Sequence, residues 1–465
     1  MNDQNYHTIF HLVSDYETKS KQGSANFLGE KAFIQLIEFY SQEGQYHKAL
    51  DVIEHAINLH HFSSDLYIKK AELLLEVGQE QEALTTLEKA SVYAPYEIEI
   101  TLLKIEALIY LHVFPEAEQL IDSFKSHPDK QILGRIYFLE GLLFEQSGQN
   151  ERMYFSLQES LRYNPENLDA VEHLWLCIEL EKKYQQSVAF FEELLTENAY
   201  SSQIWYYLGH SHSYLGNYEA AIEAYEYSFI IDPEFEEAYR DCGEMCFEIK
   251  NYEKAFSIFQ QLENLIDTDA DILLRMGQCL QGLGKIKEAE SLFSKTVILD
   301  PHCDEAFFHL GEVNAHTENW DSAIRYFKRA IYLEDSREEY YSALGQAYAQ
   351  TGKMEKASWS FEKATHLAPE ELQYWLLYIT FLVDNNLLKE AIEVIDMAEE
   401  ESVGIELLYG KVVCLMLSGK RKEAFYWLGE ALLEDYDAHS FIYHLYPKFI
   451  ADVELVNTIE SYKGF

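Results

Sequence analysis

A chain of 465 residues with 48% apolar and 25% charged residues has the make-up of a folded protein, which excludes a disordered chain and a repetitive fibre. The charge is unusual: 36 Lys and Arg against 80 Asp and Glu give a formal net charge of −44, so nucleic acid and anionic lipid are not expected partners. Six cysteines with no C-x-x-C pair make neither a disulfide framework nor a zinc ribbon; reduced thiols, no metal and no cofactor are expected.

In chain order, Met1 to His7 carries no basic stretch and only a few apolar residues follow, so no secretory signal is expected. No apolar run approaches the length of about 18 residues that suggests a membrane span. The best candidate, 98–114, is broken by Glu99, Lys104 and Glu106. A cytoplasmic location without membrane contact is the expectation. Residues 1–29 read as an N-terminal cap segment, with a short helix at 9–16 and a loop at Gly23 and Ser24.

From Glu30 a period takes over. Gly209, Gly243, Gly277, Gly311 and Gly345 stand 34 residues apart, and Ala221, Ala255, Ala289, Ala323, Ala357 and Ala391 keep the same step. So do Tyr225, Phe259, Phe293, Phe327 and Phe361, while Pro165, Pro233, Pro301 and Pro369 recur at twice that step. Each unit holds two helical stripes: Trp205, Leu208 and His212 mark a first helix, and Ala221, Tyr225 and Ser228 a second. Gly216 lies between them, where a helix end needs a left-handed residue; Gly44, Gly78, Gly148, Gly284, Gly352 and Gly419 hold the same place. Gly209 is mid-helix, and its cost there is explained by close approach of the paired helix, with Ala221 as the expected small partner.

The register gives twelve units within 30–438, starting at Glu30, Ser64, Ile98, Gly134, Leu168, Ser202, Glu236, Ala270, Asp304, Glu338, Leu372 and Ile405. The third is two residues longer, with the excess placed in the loop 125–130, and the eleventh is one shorter near Val403 and Gly404. In those two units Ile105 and Ile379 replace the packing glycine, so altered helix pairing is expected there. Residues 439–465 lack the Gly/Ala pair and read as C-terminal capping helices: a short helix, a break at Pro447 and a final helix from about Asp452.

Trp205, Leu208, Gly209, Ala221, Tyr225 and Pro233 resemble the tetratricopeptide repeat, whose pattern is W-x2-L-G-x2-Y, then A-x3-F, then P. Tyr341, Leu344, Gly345, Tyr348, Ala357, Phe361, Ala364 and Pro369 resemble it at least as well. The resemblance implies an all-α fold: a right-handed α-solenoid, or superhelix, of stacked antiparallel helix pairs. It also implies that the first helices line a concave groove that takes a peptide or helix of a partner protein. The groove-facing places are then the second, fifth, sixth, ninth, twelfth and thirteenth of each unit. A non-catalytic scaffold or adaptor is the function implied; a regulatory subunit or co-chaperone docking on an enzyme or transcription factor is the alternative. The repeats consume the chain, and neither end is long enough to bury a catalytic core of its own.

Several groups that mimic chemical sites have plainer readings. Cys242 and Cys246 are one helical turn apart but occupy core-facing places. His210 and His212 point to different faces of one helix, and His60 and His61 fall at a unit boundary. The family's carboxylate clamp needs Asn at the ninth place, where no unit has one. Glu38, Glu72, Glu106, Glu244 and Glu312 stand there instead, and Gln278 lies between the last two. With Glu237, Asp271 and Glu305 at second places and Glu248 at a thirteenth, they make the groove acidic. Tyr206, His210 and Tyr214 add aromatic faces suited to Lys or Arg. Arg240 is expected beside Glu244, as a sign that some carboxylates are internally paired. The expected partner is therefore a basic, partly apolar protein segment.

Overall fold

The computed structural model describes residues 9, 11–18 and 28–463, so the loop expected at Gly23 and Ser24 lies outside the described residues. Among the described residues there is no strand; the regular structure is helical throughout. The chain divides into two compact units, 1–238 and 239–465.

In the first unit the helices pack as consecutive pairs: Glu30–Gln42 with Tyr46–Leu59, Ser64–Glu76 with Glu80–Tyr93, and Ile98–Tyr110 with Phe114–Phe124. Lys130–Gln146 with Asn150–Tyr163, Leu168–Glu181 with Tyr184–Glu197, and Ser202–Tyr214 with Tyr218–Ile231 continue the series. A helix over 11–18 precedes them, and its Tyr16 packs edge-on against Phe33 at 6.2 Å. In the second unit the pairs include Ala270–Gly282 with Ile286–Leu299, Asp304–His316 with Trp320–Leu333, and Ile405–Leu417 with Arg421–Glu434. The short helix Ser440–Leu445, which packs on Ile405–Leu417, and the helix Val453–Ser461 follow, and bury Ile442, Leu445, Leu455 and Ile459 in the hydrophobic cluster that also holds Leu428 and Leu432.

Turns of three residues, or of two between Glu181 and Tyr184, link the two helices of a pair. In the first, Gly44 is left-handed at φ 67°, its N–H donates to Ser41 O at 2.9 Å, and the Gln45 N–H donates to Tyr40 O at 2.8 Å. That pattern satisfies carbonyls the helix end would otherwise leave open. Where the place lacks glycine, His112, Lys182, Lys250, Glu318 and Asn386 adopt the same left-handed backbone at φ 53–60°. The turn is thus imposed by the packing of the pair and is not a property of glycine alone.

The mid-helix glycines do admit a close approach, but of a different residue from the one expected. A Cβ on Gly277 would lie 2.5 Å from the Phe293 ring, and one on Gly209 would lie 2.6 Å from the Tyr225 ring. The aromatic side chain of the second helix fills the notch, and the buried Ala221 and Ala289 do not. Ile105 and Ile379, which replace glycine, are themselves fully buried and their helices still pair.

The extra residues of the third unit do more than lengthen a loop. Its second helix stops at Phe124, and the next helix begins at Lys130 instead of Gly134. Lys125, in the short connection, reaches the buried Glu140 at 2.7 Å, while Ser156 Oγ donates to the other oxygen of Glu140 at 3.0 Å.

Candidate functional site

Neighbouring first helices of the first unit touch through the places named above. Arg135 at a second place holds Glu99 with two hydrogen bonds of 2.6 and 2.7 Å. His173 meets Glu145 at 2.8 Å, and the Tyr214 hydroxyl donates to Glu179 at 3.3 Å. These contacts define a first-helix face that runs from repeat to repeat.

Two regions of that face differ in chemistry. Glu72, Leu75, Glu76, Leu103, Glu106 and Tyr110 line a cavity of about 370 Å³. Burial pushes the Glu106 carboxyl above its ordinary value; Arg135 opposes this, while Glu76, Glu99 and Glu72 add to it. Lys69 meets Glu72 at 2.8 Å at a partly exposed rim, where an ion pair is worth little. Arg135 is already engaged by Glu99. The cavity thus places three carboxylates around a leucine floor with a tyrosine ring at the wall. Glu38, expected to continue the row, is exposed and does not line it.

The second region is aromatic. Tyr206 packs edge-on against His210 at 4.5 Å and lies 4.9 Å from Phe235. His210 also lies 5.3 Å from Trp175. Tyr214 stacks flat on Tyr184 at 4.4 Å, so one of its faces is already used. Burial raises the Tyr207 hydroxyl to about 12, and Glu172, Glu179 and Glu237 contribute. Glu237 itself is exposed. Trp175, which occupies the packing-glycine place of its repeat, and Tyr184 and Tyr207 were not singled out from the sequence. The signal for Trp175 was its bulk at a place where a glycine recurs.

The second unit uses the equivalent places differently. Arg275 Nε donates to Glu244 at 2.9 Å, and its Nη1 donates to Gln278 at 3.1 Å. Gln278 Nε2 lies 2.9 Å from His309 Nε2, and His309 Nδ1 lies 2.8 Å from Glu312. Gln281 donates to the same Glu312 oxygen at 3.0 Å. Burial raises Glu244, and Glu248 and Asp241 add to that while Arg275 opposes it. Burial also pushes Glu312 upward, but the His309 contact and the Gln281 hydrogen bond outweigh it and hold it below its ordinary value. Arg240 pairs with Asp269 at 3.4 Å, not with Glu244. A smaller cavity of about 230 Å³, lined in part by Arg240, Arg275, Glu244, Asp271 and Glu305, therefore holds guanidinium groups among its acids. Arg337 takes Glu305 at 2.9 Å, and Glu248 is exposed. Glu244, Gln278 and Glu312 do come together, as a hydrogen-bonded row that supplies its own cation.

Cys242 and Cys246 are fully buried. Among the described residues, no group of three or more His, Cys, Asp or Glu is placed to hold a metal ion, and no helix is long and apolar enough to cross a membrane.

Family models of the tetratricopeptide repeat match residues 202–235, 274–338 and 338–371. With the paired helices and their recurrent turns, these matches identify the chain as a tetratricopeptide-repeat protein. It is similar to the TPR repeat-containing protein YpiA of Bacillus subtilis, at 24% identity over 292 residues, which is 62% of this chain and 68% of the relative. It is also similar to the DnaJ homolog subfamily C member 7 homolog of Dictyostelium discoideum, at 24% identity over 33% of this chain and 31% of the relative. The chain thus spans under a third of that second relative. Among solved structures, a chain of the APC/C hetero-tetramer Cut9–Hcn1 is 15% identical with a TM-score of 0.39, covering 93% of this chain and 97% of its own.

Proposed function

We propose that this protein is a non-catalytic interaction scaffold that binds a basic, partly apolar segment of a partner protein on the first-helix face of its first unit. Tetratricopeptide arrays are in general protein-interaction scaffolds. The observation that carries the finer reading is the cavity of Glu72, Glu76 and Glu106 over Leu75 and Leu103, walled by Tyr110. A Lys or Arg side chain suits it: the methylene stem covers leucine, the head meets carboxylates, and the ring adds cation–π attraction. The row in the second unit supports this location by contrast: Glu244 and Glu312 have Arg275 and His309 as partners, whereas of the three cavity carboxylates only Glu72 has an ion-pair partner among the described residues, Lys69.

The test is capture of partners by the tagged full chain, followed by measurement of the affinity for the captured protein. Glu72→Gln with Glu106→Gln is expected to weaken binding at least tenfold and to flatten its salt dependence. Unchanged affinity and salt dependence in that variant would refute the assignment.

A further inference from the structure

Resting on that reading, we infer that the ligand segment is bipartite: a cationic cluster seated in the Glu72–Glu76–Glu106 cavity, and an apolar cluster seated about three repeats away on Leu176, Leu180 and Tyr214. The second seat is an exposed apolar patch on the same face. Leu176 and Leu180 are one helical turn apart and 42% and 60% exposed, and Tyr214 is 55% exposed. Tyr214 is held in place by its stack on Tyr184 and its hydrogen bond to Glu179, so the patch is preformed. The corresponding ninth and thirteenth places of the eighth, ninth and tenth repeats carry Gln278 and Gly282, Glu312 and His316, and Gln346 and Gln350. Exposed leucines at both of these places thus mark the fifth repeat and do not occur in those three.

Between the two seats lie the ninth and twelfth places of the fourth repeat, Leu142 and Glu145. Leu142 is buried, and Glu145 is paired with His173. The bare leucines stand at the second seat, where Glu179 is already bonded to Tyr214, so the complementary segment carries its apolar residues at that end and its charge at the other. Adjacent packed helices lie about 10 Å apart, which puts the seats about 25–30 Å apart. An extended chain at about 3.3 Å per residue spans that with about eight or nine residues. A helix at about 1.5 Å per residue needs about 17–20.

The probes are synthetic fluorescent peptides that join a Lys-Arg-Lys-Arg block to a Leu-Phe-Leu block directly or through a Gly-Ser spacer, made in both block orders. Joined directly, the two blocks reach at most about 22 Å from first to last residue and cannot bridge the seats, whereas a spacer of about ten residues can. Anisotropy titration of the full chain is expected to show at least tenfold tighter binding with the spacer than without it in one block order, because the second contact becomes intramolecular. Leu176→Ser with Leu180→Ser changes exposed residues only; it should abolish that gain while leaving the salt dependence intact. Glu72→Gln, Glu76→Gln and Glu106→Gln together should abolish both. If the spacer has no effect, or the serine variant keeps the gain, the bipartite inference is overturned. If in addition the isolated basic block binds the wild type and the glutamine variant equally, the proposed groove itself is wrong. If that block still prefers the wild type, only the bipartite inference falls.

Discussion

Gly277 and Gly284 belong to one repeat, and their glycine character serves opposite ends. Gly277 leaves the space that the Phe293 ring occupies, whereas Gly284 would give a Cβ open space, with nothing within 4 Å, but sits at φ 71°. Gly277→Leu is expected to cost about 3 kcal/mol or more, because the ring and helix must move together. Gly284→Ala should cost about 1–2 kcal/mol, the penalty for an L-residue in the left-handed region. Urea unfolding of both variants checks the order; equal midpoints would contradict the contact. His212 gives a pH readout. It fills the consensus tyrosine place, its Nδ1 is buried without a hydrogen-bond partner, and burial lowers its pKa while Glu192 partly opposes this. The unfolded chain then takes up a proton near the ordinary value of about 6.5 while the folded ring still resists it. Stability from this site is present above that value and is lost as the pH falls through the window between the unfolded and folded pKa. Between about pH 8 and about pH 5.5, on either side of that ordinary value, His212→Tyr should lose less stability than the wild type. A parallel decline in the two proteins would rule the site out.

At the scale of the helix pair, the connection from Phe124 to Lys130 shows how an insertion acquires a structural role. Glu140 stands at the place where Leu208 and Leu344 occur in other repeats, and is buried there. Lys125 neutralises it, from a loop that exists because the third unit carries extra residues. Lys125→Met should cost about 3 kcal/mol by stranding a buried carboxylate. Adding Glu140→Leu should recover most of that loss, since leucine is what the place otherwise holds. Thermal melts of the single and double variants decide this; two independent losses would contradict the pairing. The excess residues could be located from the spacing of Pro95 and Pro165, but not their purpose, because a charge in a core place names no partner. The turns make the same point. Seven glycines marked them, yet Lys182 and Lys250 take the same left-handed backbone because both flanking helices are held by packing.

For the whole chain, a net charge of −44 made every row of glutamates look alike. Within each unit the folded chain treats them differently: Glu312 is tied to His309 and Gln281, while Glu72 and Glu106 share a cavity with Glu76. Glu312→Gln is therefore expected to cost about 1 kcal/mol of stability, the loss of a charge-assisted hydrogen bond at a partly solvated site, with partner affinity unchanged. Glu72→Gln with Glu106→Gln should do the reverse: weaker binding with stability kept or slightly raised. Calorimetric unfolding alongside binding titration separates the two. If Glu312→Gln also weakened binding, the second unit's row would belong to the binding surface after all.

The sequence alone determined the helical pairs, their period and the turn between them. Those depend on local periodicity and on glycine, alanine and aromatic residues at a fixed step, and each repeat restates the same short-range pattern. Only the tertiary structure decided that the notch at Gly209 is filled by Tyr225 and not by Ala221. It also decided that Arg275, not Arg240, neutralises Glu244, and that Leu176 and Leu180 stay bare. These outcomes turn on which side chain of a neighbouring helix reaches a given atom. Long arginine, glutamate and tyrosine side chains choose among several partners within a few ångströms, and a one-dimensional period carries no information about that choice.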